Sequence, residues 1–125
     1  MIKDLFNNGY FWQKIDSLML STSVVISQPK GSHHPKYLNM VYPVDYGYLN
    51  DTDAIKVFKG SIKSSKIDAV MVGGDIVKRD LEVKLLLGCT EEEEIRILQF
   101  INQTDYQKGI MGRRGNELPD WGLTD

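Results

Sequence analysis

The sequence predicts a mainly β, α+β fold in one domain, and three observations predict it. Between residues 24 and 88, short β-branched and aromatic runs alternate with clusters of Gly, Ser, Asn and Asp, the pattern of strands joined by turns. Apolar residues at helical spacing precede that block. A helix-capping sequence followed by a broad apolar arc comes after it. At 125 residues there is room for one core rather than two, so the domain is expected to span 1–125.

Taken in order, Phe11, Ile15 and Leu18 recur at the i, i+4, i+7 spacing of one helical face, with Asn7 and Asn8 as N-cap candidates. A helix over about 9–20 follows. Val24-Val25-Ile26 reads as a strand, and Pro29 to Pro35 as a polar loop stiffened at both prolines. Aromatic and β-branched residues dominate from Met40 to Tyr48. Ile55 to Lys59 alternates at the strand period and predicts one wet face. Further strands are expected over 67–72, 75–77 and 81–87. In the last of these Glu82 and Lys84 share a face opposite Leu81, Val83 and Leu85. Thr90 and Glu93 form a capping box, and Glu91 to Glu94 suits the positive end of a helix dipole. Ile97, Leu98, Phe100 and Ile101 give that helix, about 91–103, its buried face. The glycines and arginines after Lys108 predict an irregular tail over 109–125.

Composition excludes several classes. Hydrophobic residues make up 42% and charged residues 26%, ordinary for a soluble globular protein, and no apolar run approaches the roughly 20 residues of a membrane helix. The N-terminal residues have no basic leader with an apolar stretch, and the single Cys89 excludes an internal disulfide or a cysteine zinc cluster. A cytoplasmic, reducing location is expected. A net charge of -2 argues against a general nucleic-acid binder. Cys89 reads as a buried structural thiol. His33 and His34 read as exposed loop residues without a role.

The chemistry concentrates between Tyr42 and Val57. Tyr42, Tyr46 and Tyr48 with Gly47 run into Asp51 and Asp53, so phenol donors and hard oxygen ligands fall on one strand-loop-strand segment. Asp80 and Glu82 on a neighbouring strand would add oxygens three and four. Phosphoanhydride hydrolysis needs such a grouping, because cations must neutralise phosphate oxygens and activate water.

These residues resemble family I inorganic pyrophosphatases. Val24 to Pro29 is similar to the family's V-V-I-E-x-P strand, Lys36-Tyr37 to its K-Y pair, and Tyr42 to Leu49 to Y-P-x-x-Y-G-Y-I. Asp51 to Val57 is similar to D-G-D-P-x-D-V, and Glu82-Val83-Lys84 to D-x-K. Pro29 to Tyr37, Lys78 to Lys84 and Gly88 to Glu93 further resemble a short bacterial pyrophosphatase-like subgroup. The resemblance implies a small OB-like β-barrel, a homo-oligomer, and Mg2+-dependent hydrolysis of diphosphate. It also implies Asp53 as water-activating base and Asp51, Asp53 and Glu82 as metal ligands, with Asp80 a further candidate. Lys36, Tyr46, Lys84, Tyr106 and Lys108 would bind phosphate. Two departures thin the metal site. Lys56 stands where the acidic loop has its last aspartate, and Ser27 where the first strand has its acid. The alternative is a non-catalytic module that binds a phosphate-bearing ligand or a protein partner on the same fold, with the Lys56 ammonium replacing the metal.

Overall fold

The computed structural model describes residues 9–114, apart from the side chain of Asp53. The caps expected at Asn7 and Asn8, and the tail from 115 onward, lie outside the described residues. The first helix, α1, spans Gly9–Leu20 as expected. Its buried stripe, however, is Trp12, Ile15 and Met19, while Phe11 and Leu18 are exposed. The i, i+3, i+7 series centred on the indole therefore wins over the series starting at Phe11, since burying the indole removes the larger apolar area.

Six strands follow: β1 Val24–Gln28, β2 Asp45–Leu49, β3 Thr52–Lys59, β4 Ile67–Asp75, β5 Asp80–Leu87 and β6 Gln107–Arg113. They form one mixed sheet in the order β1-β2-β3-β5-β4-β6, and α2, Glu91–Ile101, lies between β5 and β6 in sequence. β3 and β5 run parallel, and all other neighbours are antiparallel. β1 and β6 are edges, so among the described residues hydrogen bonding leaves the sheet open. No helix among those residues is long and apolar enough to cross a membrane.

Three expectations change. The run at 75–77 is not a separate strand. β4 continues unbroken to Asp75, where the chain turns through Ile76 to Arg79. The irregular tail begins instead with β6, whose glycines mask its period of two. A Cβ at Gly109 would come within 2.6 Å of Ile101 Cγ2, so glycine here lets the end of α2 settle against the strand. β3 is not wet along one face: Val57 and Phe58 on its opposite sides are both 0% exposed in the interior of the sheet, and exposure falls instead towards its ends, at Thr52, Ala54 and Lys59.

The two sheet faces have different covers. On one, α1 packs Trp12, Ile15 and Met19 against Leu49, Val57, Ile67, Leu85 and Leu87. On the other, α2 and the segment 37–44 cover Tyr46, Phe58, Ala69, Met71 and Leu86. α2 begins at the expected capping box: Thr90 accepts from the Glu93 amide, and Glu93 accepts from the Thr90 amide. The Glu93 carboxylate also accepts from Ser61, which ties the helix start to the β3–β4 turn. Gly88, at φ 62, makes the tight exit from β5, where a Cβ would meet the Ile62 carbonyl oxygen at 2.2 Å.

Candidate functional site

Strand register assembles the site on the α2 face. Lys56 on β3 pairs with Lys84 on β5 and with Tyr48 on β2, and Phe58 pairs with Tyr46. With a side-chain period of two, Tyr46, Tyr48, Lys56, Phe58, Glu82 and Lys84 all rise from one face. A cavity of about 240 Å3 opens among them beneath the end of α2. Among the described residues its charged wall is Lys56, Lys78 and Lys84 with one carboxylate, Glu82.

Lys84 is the centre of this wall. Its side chain is 8% exposed, and its ammonium donates to the Tyr46 hydroxyl at 2.8 Å and to Glu82 at 3.4 Å. It also stands 5.1 Å from the centroid of the Tyr46 ring. Burial pushes the Lys84 amine below the usual lysine range, and the Glu82 carboxylate beside it works in the opposite direction. Burial likewise raises Tyr46, and the negative charge of Glu82 adds to that rise. Tyr46 thus stays a neutral phenol. Tyr42 lies above it, rings 5.0 Å apart, and is held neutral chiefly by burial.

The cavity also takes residues with no counterpart in the expected site. The 29–42 loop folds back on itself, with Gly31 donating to Tyr42, Tyr42 to Ser32, and His34 to Met40 through backbone atoms. This brings His34, expected to be exposed, into a half-buried place on the cavity wall. Its Nδ1 accepts from the amides of Lys36 and Tyr37 at 3.0 and 3.1 Å, and its ring stacks on Tyr42 with centroids 6.0 Å apart. Lys78 arrives from the β4–β5 turn. There Asp75 Oδ1 accepts from the amides of Val77 and Lys78, and its Oδ2 from Gln107, another cavity residue. The Lys78 amide chiefly holds the Asp75 carboxyl below its ordinary range, against a burial effect of opposite sign. His-x-x-Tyr within a proline-bounded loop was the one sequence signal for His34. Lys78 opens the Lys78 to Lys84 segment that carries the resemblance, which gave it no role.

Of the expected site residues, Tyr46, Glu82 and Lys84 come together. Of the others, those whose side chains are described do not line that cavity. Asp51 lies in the β2–β3 turn and lines a second, open depression of about 580 Å3 with Tyr48 and Asn50. Ser27 and Lys56 border both hollows. Asp80, Tyr106 and Lys108 line a third hollow beside the β4–β5 turn, although the Asp80 charge still acts on Lys84. Lys108 donates to the Asn102 carbonyl, and Tyr106 stacks on Tyr37. Lys36 is exposed, its amine 5.6 Å from the Tyr37 ring centroid. The side chain of Asp53 lies outside the described residues. The acids separate because Asp51 sits in a turn, where the alternation of an extended strand does not apply.

This donor set does not fit paired magnesium ions. Such a centre needs clustered carboxylate oxygens, whereas among the described residues Glu82 is the one carboxylate lining the cavity, and it faces an ammonium. Among the described residues no three His, Cys, Asp or Glu side chains gather to hold a metal. Cys89 is buried under α2, and its thiol is pushed up to about 12 by burial first and then by Glu93 and Asp68, so it contributes no thiolate. The chain matches no known protein-family model, no curated protein and no solved structure.

Proposed function

We propose that this protein binds a phosphate-bearing small anion, with diphosphate as the simplest case, and holds it through amines rather than through bound magnesium. The observation that carries this reading is the cavity wall itself: Lys56, Lys78 and Lys84 line it, with Glu82 as the one carboxylate among the described residues there. Ammonium groups supply charge-assisted hydrogen bonds to phosphate oxygens. Lys84, withdrawn from water, attracts an anion more strongly than a surface lysine does, with the half-buried Lys56 and the exposed Lys78 beside it. Lys56 then does what the resemblance assigns to a metal-bound aspartate, with the sign of the charge reversed.

The rival is magnesium-dependent attack of water on a phosphoanhydride. Its support is that Tyr46 and Lys84, phosphate ligands under the pyrophosphatase resemblance, share one cavity with Glu82, a metal ligand under it. The OB-like barrel of that family belongs to the same proposal. The consecutive β1-β2-β3 ribbon and the exchanged order of β5 and β4 support it, and such barrels are commonly only partly closed. Lys56→Asp separates the two functions. Under the binding proposal it weakens diphosphate affinity at least tenfold, a change of about 1.4 kcal/mol, and yields no phosphate release. Wild-type protein that releases phosphate from diphosphate with magnesium, above a no-enzyme blank, would move the conclusion to the rival.

A further inference from the structure

We propose that His34 is an uncharged, donor-only contact for the ligand of the central cavity, offering Nε2–H to an anionic oxygen and unable to take a proton from it. The inference rests on the anion-binding reading for the identity of the ligand, but its chemistry rests on the ring's own contacts.

An imidazole has two nitrogens, and in the neutral form one donates while the other accepts. In His34 the accepting role is already fixed. Nδ1 faces two backbone N–H groups, those of Lys36 and Tyr37, and can satisfy them only with its lone pair. A proton on Nδ1 would set N–H against N–H and open the loop. Nε2 therefore carries the single proton, and the ring edge bearing it is the one turned away from the loop backbone. The residue lines the same hollow as Lys56, Lys78, Glu82 and Lys84.

Most of the surroundings oppose a second proton. Lys36 on its own loop, Lys78 on the β4–β5 turn and Lys84 on β5 all lower its basicity, burial does so most, and only Asp75 at the end of β4 acts the other way. Stacking on Tyr42 and the tilted contact with Tyr37 fix the ring plane. His34 thereby adds a hydrogen-bond donor to the wall without adding a fourth charge. It also cannot serve as a general base: its only free nitrogen already holds a proton.

Two side chains separate the ring's two functions. Asparagine places an amide oxygen where Nδ1 stands and keeps the loop bonds, but does not reach the cavity. Glutamine reaches towards Nε2 with an N–H and gives up the loop acceptor. Calorimetric titration with diphosphate should show His34→Asn weaker than wild type by about tenfold or more, the scale of a lost hydrogen bond to a charged group. His34→Gln should fall between the two. Nitrogen-15 NMR of the full wild-type chain should show neutral His34 protonated at Nε2 at pH 7 and taking a second proton only below the ordinary histidine range. Wild-type affinity in His34→Asn, or a proton on Nδ1 at neutral pH, would overturn the proposal. If wild-type protein binds no diphosphate, the anion reading and this contact fall together. If it binds while His34→Asn is unaffected, this contact alone fails.

Discussion

Under α1 the sheet presents Leu49, Val57, Leu85 and Leu87 to Trp12, Ile15 and Met19, whereas one residue along the same strands, under α2, it presents Tyr46, Lys56 and Lys84. The first face is closed by apolar burial, worth roughly 25 cal/mol per Å2 removed from water. The second keeps an ammonium at 8% exposure beside a phenol. Taking a charge out of water is costly, and one hydroxyl and one carboxylate at 3.4 Å only partly offset it. The comparison separates two purposes. Both faces hold the fold through apolar burial, around Trp12 under α1 and around Phe58, Met71 and Leu86 under α2, but the α2 face also carries a charge that, under the proposed function, an anion from outside would partner.

Breaking the apolar face should have the largest effect. Trp12→Ala is expected to cost about 3–5 kcal/mol, read as a lower denaturation midpoint, with diphosphate affinity unchanged in protein that remains folded. Lys84→Met should do the reverse. Its anion affinity should fall by about ten- to a hundredfold, while its midpoint stays level or rises because a desolvated charge has been removed. A midpoint lowered as far as that of Trp12→Ala would make Lys84 a structural residue and collapse the distinction.

A smaller effect is expected at the junction of the two. Thr90→Ala removes the cap of the helix that roofs the cavity and should cost about 1 kcal/mol in denaturation. The smallest is a slope with pH. His34 is held below its usual 6.5, so between that value and its lower folded value the unfolded chain binds more protons than the folded one. Stability should therefore fall as pH drops below about 6.5. Asp75 and Glu93, lowered from 3.8 and 4.5, extend the loss into more acidic conditions, while Glu94, raised chiefly by burial, opposes it. Thermal melts from pH 7 to pH 5 should show the slope in wild type and its loss in His34→Asn.

What was legible in the sequence was local. The capping box needs only Thr90 and Glu93, three residues apart, and both bonds form. The meeting of Glu82 and Lys84 needs only the period of a strand. α1 was legible as a helix, but its buried stripe was not, because an indole one residue away outweighed the spacing pattern. β6 was hidden by glycines whose purpose is contact with Ile101. His34 and Lys78 could not be read as cavity residues, because a self-bonded loop and an aspartate-organised turn deliver them from places that look exposed in one dimension. The expected cluster of acids needed the segment through Asp51 to be extended, and the chain turns at Asp51.

Calorimetric titration of wild-type protein with diphosphate in the presence of a magnesium chelator tests the central claim most directly. Saturable binding that persists with the metal removed, and that weakens as salt screens the lysines, is the expected result. Binding that appears only when magnesium is restored would contradict it.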